Sequence, residues 1–187
     1  MEMKIRVLPD DLKIPIPDPS LSLAVEIALT TALRESEVLS LRVEQFAAGA
    51  KVIEVKVKGG RFEPVYFPSR LLEAIKRFTR DHRRVDEGWL FVGRQNVADG
   101  HPKPRMARST LVWAWHEVQG AAGILPRFRF HDLRHTAITR FYLRTRDIEK
   151  TRMFARHRNI STTQVYTHVR ADEVWKEMEE SYEVSHQ

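Results

Sequence analysis

Residues 155–168 read ARHRNISTTQVYTH, and this stretch carries the strongest signal in the chain. It holds two arginines, two histidines and a cluster of hydroxyls, but no glycine, cysteine or acidic residue. Serine is a favoured helix N-cap, so we expect Ser161 to begin a helical turn that carries Tyr166. A tyrosine placed nine residues after His157, in surroundings this basic, indicates a negatively charged partner.

The composition of the whole chain agrees with that partner. The 187 residues are 42% hydrophobic and 30% charged, which fits one globular domain with a buried core. Lys and Arg number 31 against 25 Asp and Glu, a surplus that favours a polyanion. The lack of cysteine excludes disulfides, thiolate chemistry and Cys-ligated zinc. No membrane-spanning apolar run or signal peptide is evident, so we expect a cytoplasmic protein that works at the nucleoid.

The charges are unevenly distributed along the sequence. Residues 127–158 contain ten Lys and Arg against three Asp and Glu, whereas residues 171–187 contain one lysine against six acidic residues. A basic patch followed by an acidic tail predicts two surfaces with different partners.

Hydrophobic periodicity predicts a mainly α-helical fold with a small antiparallel β-hairpin. Four prolines in residues 9–19 indicate an extended lead-in. Apolar residues alternate with charged ones over 53–58, and Gly59-Gly60 followed by RFEPVYF predicts the hairpin. Apolar residues at helical spacing predict helices over 21–33, 69–80, 109–120, 131–144 and 171–184, with a short one at 161–167.

Six polar side chains along this chain are of types that bind or transfer phosphoryl groups. Taken singly, each of them also has an ordinary structural explanation. The arginines and the lysine fit solvated surface positions, and the histidines fit hydrogen-bonded or capping positions. The tyrosine fits a packed ring whose hydroxyl contacts solvent. The six residues are Arg34, Lys58, His131, Arg134, His157 and Tyr166.

A metal site is a second interpretation of part of this set. His131 and His135 stand at i, i+4 and could share a metal ion. However, no glutamate follows the first histidine and no third ligand is evident, which favours a hydrogen-bonded histidine over zinc.

Together the six residues indicate phosphoryl transfer. A tyrosine hydroxyl can attack phosphorus and hold a covalent intermediate. Two arginines can clamp the non-bridging oxygens, and a lysine and histidines can move protons. Such a set needs no metal, and the sequence shows no acidic cluster that would hold Mg²⁺.

Four segments of the chain resemble the motifs of the phage integrase family, the tyrosine recombinases, which includes the Xer-type enzymes. TALRESEVLSLR resembles the box of the first catalytic arginine, and VKGG resembles the lysine hairpin. FHDLRHTAITRF resembles the H-x-x-R box, and ARHRNISTTQVYTH resembles the box with the nucleophilic tyrosine. All six family positions are filled in order, and the resemblance covers residues 21–170. It implies the tyrosine recombinase catalytic-domain fold, the DNA breaking-rejoining enzyme type.

The resemblance also implies a reaction and a set of roles. Tyr166 would attack a DNA phosphate, forming a 3′-phosphotyrosine without ATP, cofactor or divalent metal. Arg34 and Arg134 would hold the non-bridging oxygens, and His157 would add a hydrogen bond. Lys58 would protonate the leaving 5′-oxygen. His131, the remaining position, would assist proton transfer as a general acid or base and would help with positioning.

The resemblance also implies a division of the chain into domains and a DNA partner. Residues 1–20 would be an extended lead-in or linker, 21–170 the catalytic domain, and 171–187 an acidic helix that docks on a neighbouring protomer. The partner would be double-stranded DNA, bound by a homotetramer that is a monomer in free solution. The helix could instead pack on its own core. Its apolar stripe consists of Val174, Trp175, Met178 and Tyr182.

Two other functions stay open at this point: a type IB topoisomerase-like relaxing enzyme, and a non-catalytic DNA-binding relative. The chain departs from the family at Ala32 and Arg156, where glycine is usual. Arg156 could reshape the site or add a phosphate contact. Integrases of this family usually carry a separate DNA-binding domain before the catalytic one, so the short lead-in favours a fragment over a minimal enzyme.

Overall fold

In the computed structural model of the chain, residues 5–57, 60–83, 87–93 and 103–166 are described. These ranges form seven α-helices and one two-stranded antiparallel sheet, as the sequence predicts for the fold class. A 3₁₀ turn (Val43–Phe46) and a π turn (Thr79–Arg83) add to them. In chain order the elements are α1 (Pro19–Thr31), α2 (Glu35–Leu39), β1 (Val52–Lys56), β2 (Phe62–Tyr66), α3 (Ser69–Phe78), α4 (Arg108–Ala121), α5 (Phe130–Thr145), α6 (Ile148–Ala155) and α7 (Ser161–Gln164).

The chain divides into two compact units, and the boundary lies within α5, between Thr139 and Arg140. The first unit holds the main hydrophobic core. Its largest fully buried side chains include those of Trp115, Phe67, Phe91, Ile27 and Leu133. None of the helices in the described ranges is both long enough and apolar enough to span a membrane.

Helix α1 begins two residues earlier than the periodicity predicts because Asp18 caps it. The Asp18 carboxylate accepts a hydrogen bond from the Leu21 N–H at 2.9 Å, and Pro19 occupies the first helical position. The helix ends where Ala32 turns into the left-handed region at φ 53°. Residues 33 and 34 are therefore already outside α1, and α2 follows directly.

The predicted hairpin is confirmed. Val52 pairs with Tyr66 and Lys56 with Phe62, and the Val57 N–H donates to the Arg61 carbonyl at 2.8 Å. Gly60 supplies the positive φ of the turn, at 78°. Residues 58 and 59, with the predicted lysine, lie outside the described residues.

A buried glutamine holds the loop that leads into α5. The Gln119 Nε2 donates to the carbonyls of Trp115 and Phe128 at 3.0 Å each, and its Oε1 accepts from the Phe128 N–H at 2.7 Å. A fully buried amide with all these partners fixes its neighbours, because each bond lost would leave a buried polar group unsatisfied. Gln119 thus sets the position at which α5 begins.

The N-terminal segment, residues 5–18, forms no helix or strand and belongs to the first unit. A turn interrupts the predicted extended lead-in, because the Leu12 N–H donates to the Pro9 carbonyl at 3.3 Å. The Leu8 N–H donates to Thr136 Oγ1 on α5 at 2.9 Å. The Arg6 guanidinium donates to the carbonyls of Arg127 and Pro126 at 2.8 Å each, and it lies 4.4 Å from the centroid of the Phe128 ring. These contacts join the N-terminal segment to α5 and to the loop before it.

In the second unit, α6 is a helix that the periodicity did not reveal. Asp147 caps it by accepting from the Lys150 N–H at 2.9 Å, and Phe154 stacks on Phe141 with centroids 4.4 Å apart. The helix ends at Arg156, which has a φ of 55°. The predicted helix over 171–184 and its apolar stripe lie outside the described residues.

Candidate active site

Arg34 is fixed by a buried carboxylate. It is the N-cap residue of α2, and Glu37 Oε2 accepts from the Arg34 N–H at 2.9 Å. Glu37 Oε1 accepts from Arg34 Nη1, also at 2.9 Å, and the Glu37 side chain is only 2% exposed. The Arg34 side chain remains 39% exposed. The guanidinium is thus oriented in advance, while part of it still reaches solvent.

Arg134, on α5, lies in the same part of the first unit as Arg34. Its side chain is buried, and its Nη1 donates to the carbonyl oxygen of Ala32 at the end of α1. Because Ala32 lies two residues before Arg34, both predicted arginines are anchored at the α1–α2 junction. The start of α5 is itself fixed by Asp132, whose buried carboxylate accepts from the Arg129 N–H at 2.8 Å.

His131 lies in the same part of the first unit. Burial lowers its pKa, and the nearby Arg134 charge lowers it further, while Glu35 acts in the opposite direction. The rings of His131 and His135 meet edge to face with centroids 4.7 Å apart. Burial lowers the pKa of His135 to about 4, so that ring is neutral near pH 7. Within the described ranges, no group of three or more possible metal ligands occurs.

Glu35 and Glu37 were not singled out from the sequence, although both contribute to this part of the candidate site. Glu35 forms an ion pair with Arg108 at the start of α4. The spacing of Arg34 and Glu37, three residues apart around a helix start, matches the glutamate of a capping box and could have identified Glu37. No comparable local signal marks Glu35, because its partner is far away in sequence.

His157 and Tyr166 lie together in the second unit. Their rings are nearly parallel, with an interplanar angle of 22° and centroids 6.2 Å apart, and both residues are buried. The prediction that Ser161 caps the intervening helix is wrong. Ile160 is the N-cap residue of α7, and Asn159 Oδ1 accepts from the Ser161 N–H at 3.1 Å. Asn159 thus supplies the side-chain acceptor that was expected of Ser161.

The two departures from the family's glycines share one backbone feature. Ala32 and Arg156 both end helices in the left-handed region, at φ 53° and 55°. Glycine adopts this conformation without steric cost, whereas other residues are strained there by about 1–2 kcal/mol. Ala32 is thus a strained helix end two residues before Arg34, and Arg156 is a strained helix end directly before His157.

Replacing Arg156 with glycine is expected to raise the free energy of unfolding by about 0.5–1 kcal/mol. Relief of the left-handed strain exceeds the extra chain entropy that glycine loses on folding. Urea denaturation of the two proteins measures the difference. Arg158→Gly is the matched control and should give no gain. A clear loss of stability in Arg156→Gly would show that the Arg156 side chain contributes more than its backbone strain costs.

Comparison with known proteins assigns this architecture to a class. The phage integrase family model matches residues 12–173, so the chain belongs to the phage integrase family. It is 29% identical over 163 residues to tyrosine recombinase XerD of Vibrio cholerae, covering 82% of this chain and 52% of that protein. It is 32% identical over 151 residues to XerA of Pyrococcus furiosus, covering 80% and 50%. The chain spans about half the length of the curated relatives it matches.

Solved structures share the fold. The XerH site-specific recombinase bound to its difH substrate in a pre-cleavage complex matches with a TM-score of 0.68 and 20% identity, over 86% of this chain and 46% of that one. The XerA recombinase matches with a TM-score of 0.63 and 20% identity, over 93% and 66%. The predicted family and the tyrosine recombinase catalytic-domain fold are thereby confirmed. The roles of the six site residues stay predictions.

Proposed function

We propose that this chain is the catalytic domain of a site-specific DNA recombinase that cleaves and rejoins strands through a 3′-phosphotyrosine. The observation that carries the proposal is the pairing of Tyr166 with His157 in a chain of the phage integrase family. Arg34 and Arg134, both anchored at the α1–α2 junction, supply the positive donors such a reaction needs. The relatives named above are recombinases, which favours this activity over a topoisomerase-like or non-catalytic role.

In the proposed reaction the Tyr166 hydroxyl oxygen attacks phosphorus, and the bond from phosphorus to the 5′-oxygen breaks. The tyrosine gives up its proton as the new bond forms, and the leaving oxygen takes one up. Arg34 and Arg134 hold the non-bridging oxygens, where negative charge accumulates. His157 donates a further hydrogen bond to the same phosphate. His131 assists proton transfer and positioning.

Rejoining reverses these steps with a 5′-hydroxyl from a partner duplex, and the phosphotyrosine conserves the energy of the broken bond. We propose that four copies assemble on double-stranded DNA and that the free protein is a monomer. Residues 171–187 would link neighbouring protomers. The reaction would use no cofactor and would take place in the cytoplasm, at the nucleoid.

A nicked duplex tests the proposed activity. The nick beside the scissile phosphate releases the short 5′-hydroxyl strand after cleavage, so the covalent adduct cannot religate. We expect a labelled protein–DNA band on a denaturing gel, formed in EDTA without ATP. A complete absence of adduct from native protein that shifts the same DNA would contradict the proposal.

Lys58→Ala should slow cleavage strongly, and a 5′-bridging sulfur at the scissile position should largely restore the rate. A thiolate leaves without needing a proton, so this substrate rescues only a general-acid defect. Single-turnover cleavage of matched oxygen and sulfur substrates gives the comparison, with Lys56→Ala on β1 as the control. Equal slow rates on both substrates in Lys58→Ala would assign the proton to another group.

A further inference from the structure

Thr163, in the second unit, forms hydrogen bonds with both His157 and Tyr166. It is fully buried in α7, and its Oγ1 lies 3.0 Å from His157 Nδ1. Its backbone carbonyl accepts from the Tyr166 N–H, also at 3.0 Å. A residue that was not singled out from the sequence therefore contacts the predicted hydrogen-bond donor through its side chain and the backbone of the predicted nucleophile through its carbonyl.

The proton between Thr163 and His157 can be assigned by counting donors and acceptors. Within the described residues, the Thr163 hydroxyl has no hydrogen-bond partner other than His157 Nδ1. If Nδ1 carried the ring proton and donated it, the hydroxyl proton would be buried without an acceptor, at the cost of desolvating it. If the hydroxyl donates instead, both groups are satisfied. A neutral His157 then carries its proton on Nε2.

The backbone of His157 is held independently of this bond. Its N–H donates to the Arg152 carbonyl at 3.0 Å, and its own carbonyl accepts from Arg152 Nη1 at 3.0 Å. Glu149 accepts from the Arg152 Nε at 2.9 Å and so fixes that guanidinium. With the main chain fixed at both ends, the ring has only its side-chain torsions left, and the Thr163 hydroxyl restrains those.

We propose that Thr163 is a positioning residue that fixes His157 as the Nε2–H tautomer, so that Nε2 donates to a non-bridging oxygen of the scissile phosphate. The inference rests on the proposed function for the phosphate contact. The tautomer itself is a property of the DNA-free protein. The two parts can therefore be tested separately.

The tautomer is read by NMR on the DNA-free protein. Long-range ¹H–¹⁵N correlations of the imidazole distinguish Nε2–H from Nδ1–H, and a His157→Gln sample assigns the signals. At about pH 8, where an unperturbed histidine is neutral, we expect the Nε2–H pattern in the wild type and in Thr163→Ser. Thr163→Val should lose the fixed pattern, while Thr162→Val, which removes an exposed hydroxyl from the same helix, should keep it. An Nδ1–H pattern in the wild type would overturn the proposal.

The functional consequence is measured with the nicked duplex. Thr163→Val should form the covalent adduct about tenfold more slowly, the effect of one misdirected hydrogen bond. Thr163→Ser should restore most of the rate, and Thr162→Val should match the wild type. Wild-type cleavage by Thr163→Val would overturn the positioning role. An inactive wild type that still shows the Nε2–H pattern would instead refute the proposed function and leave the tautomer assignment standing.

Discussion

Tyr166→Phe should abolish covalent attachment to DNA and leave non-covalent DNA binding nearly unchanged. The substitution removes the oxygen that is proposed to attack phosphorus, and no phosphotyrosine can form without it. We expect DNA affinity to come mainly from phosphate contacts of the many basic side chains, which phenylalanine leaves in place. The nicked duplex on a denaturing gel measures attachment, and a native gel shift measures binding.

Tyr142→Phe provides the matched control for that loss. Tyr142 is a buried tyrosine in the same unit, and its replacement should keep the covalent adduct. An adduct that persists at the wild-type level in Tyr166→Phe would show that another residue attacks the phosphate.

The second large effect, a loss of DNA cleavage rate, is expected for Arg134→Lys. A lysine keeps the charge but lacks the planar guanidinium fork, which lets Arg134 donate to the Ala32 carbonyl and, in the proposed reaction, also to the phosphate. Loss of one such donor in the transition state costs about 100- to 1,000-fold in rate. Single-turnover cleavage should fall by that factor, with DNA binding largely retained.

Arg144→Lys, an exposed position on the same helix, is the control for charge and should cleave normally. Circular dichroism identifies any loss of folding, because Arg134 is buried. A folded Arg134→Lys protein with nearly wild-type cleavage would remove Arg134 from the proposed transition-state clamp.

Much of the fold could be predicted from periodicity, and the misses have physical causes. Within the described residues, the longer helices and the hairpin agree with their predicted ranges to within a few residues, because a buried face imposes its period on the sequence. Helix α2 spans only Glu35–Leu39 and α6 only Ile148–Ala155, so neither is long enough for its apolar spacing to stand out. Their boundaries depend on caps and left-handed residues instead.

The site shows a similar division. The candidate arginines, histidines and tyrosine could be proposed from the sequence, because their types and motif order indicate the chemistry. Their roles stay predictions. Glu37 was missed although its capping-box spacing from Arg34 marks it. Thr163 could not be identified, because an ordinary polar side chain gains its role only when folding buries it against a particular partner. The left-handed φ of Ala32 and Arg156 likewise follows from helix geometry. That conformation gives a physical reason for the glycines usual at these two positions.

The most direct test of the proposed chemistry is to locate the phosphodiester linkage within the protein. The adduct from the nicked duplex is digested with nuclease and trypsin and analysed by tandem mass spectrometry. Cleavage after Arg158 and Arg170 gives the peptide 159–170, in which Tyr166 is the only tyrosine. We expect a nucleotide joined through its 3′-phosphate to Tyr166. A linkage to any other residue, or through a 5′-phosphate, would contradict the proposed mechanism.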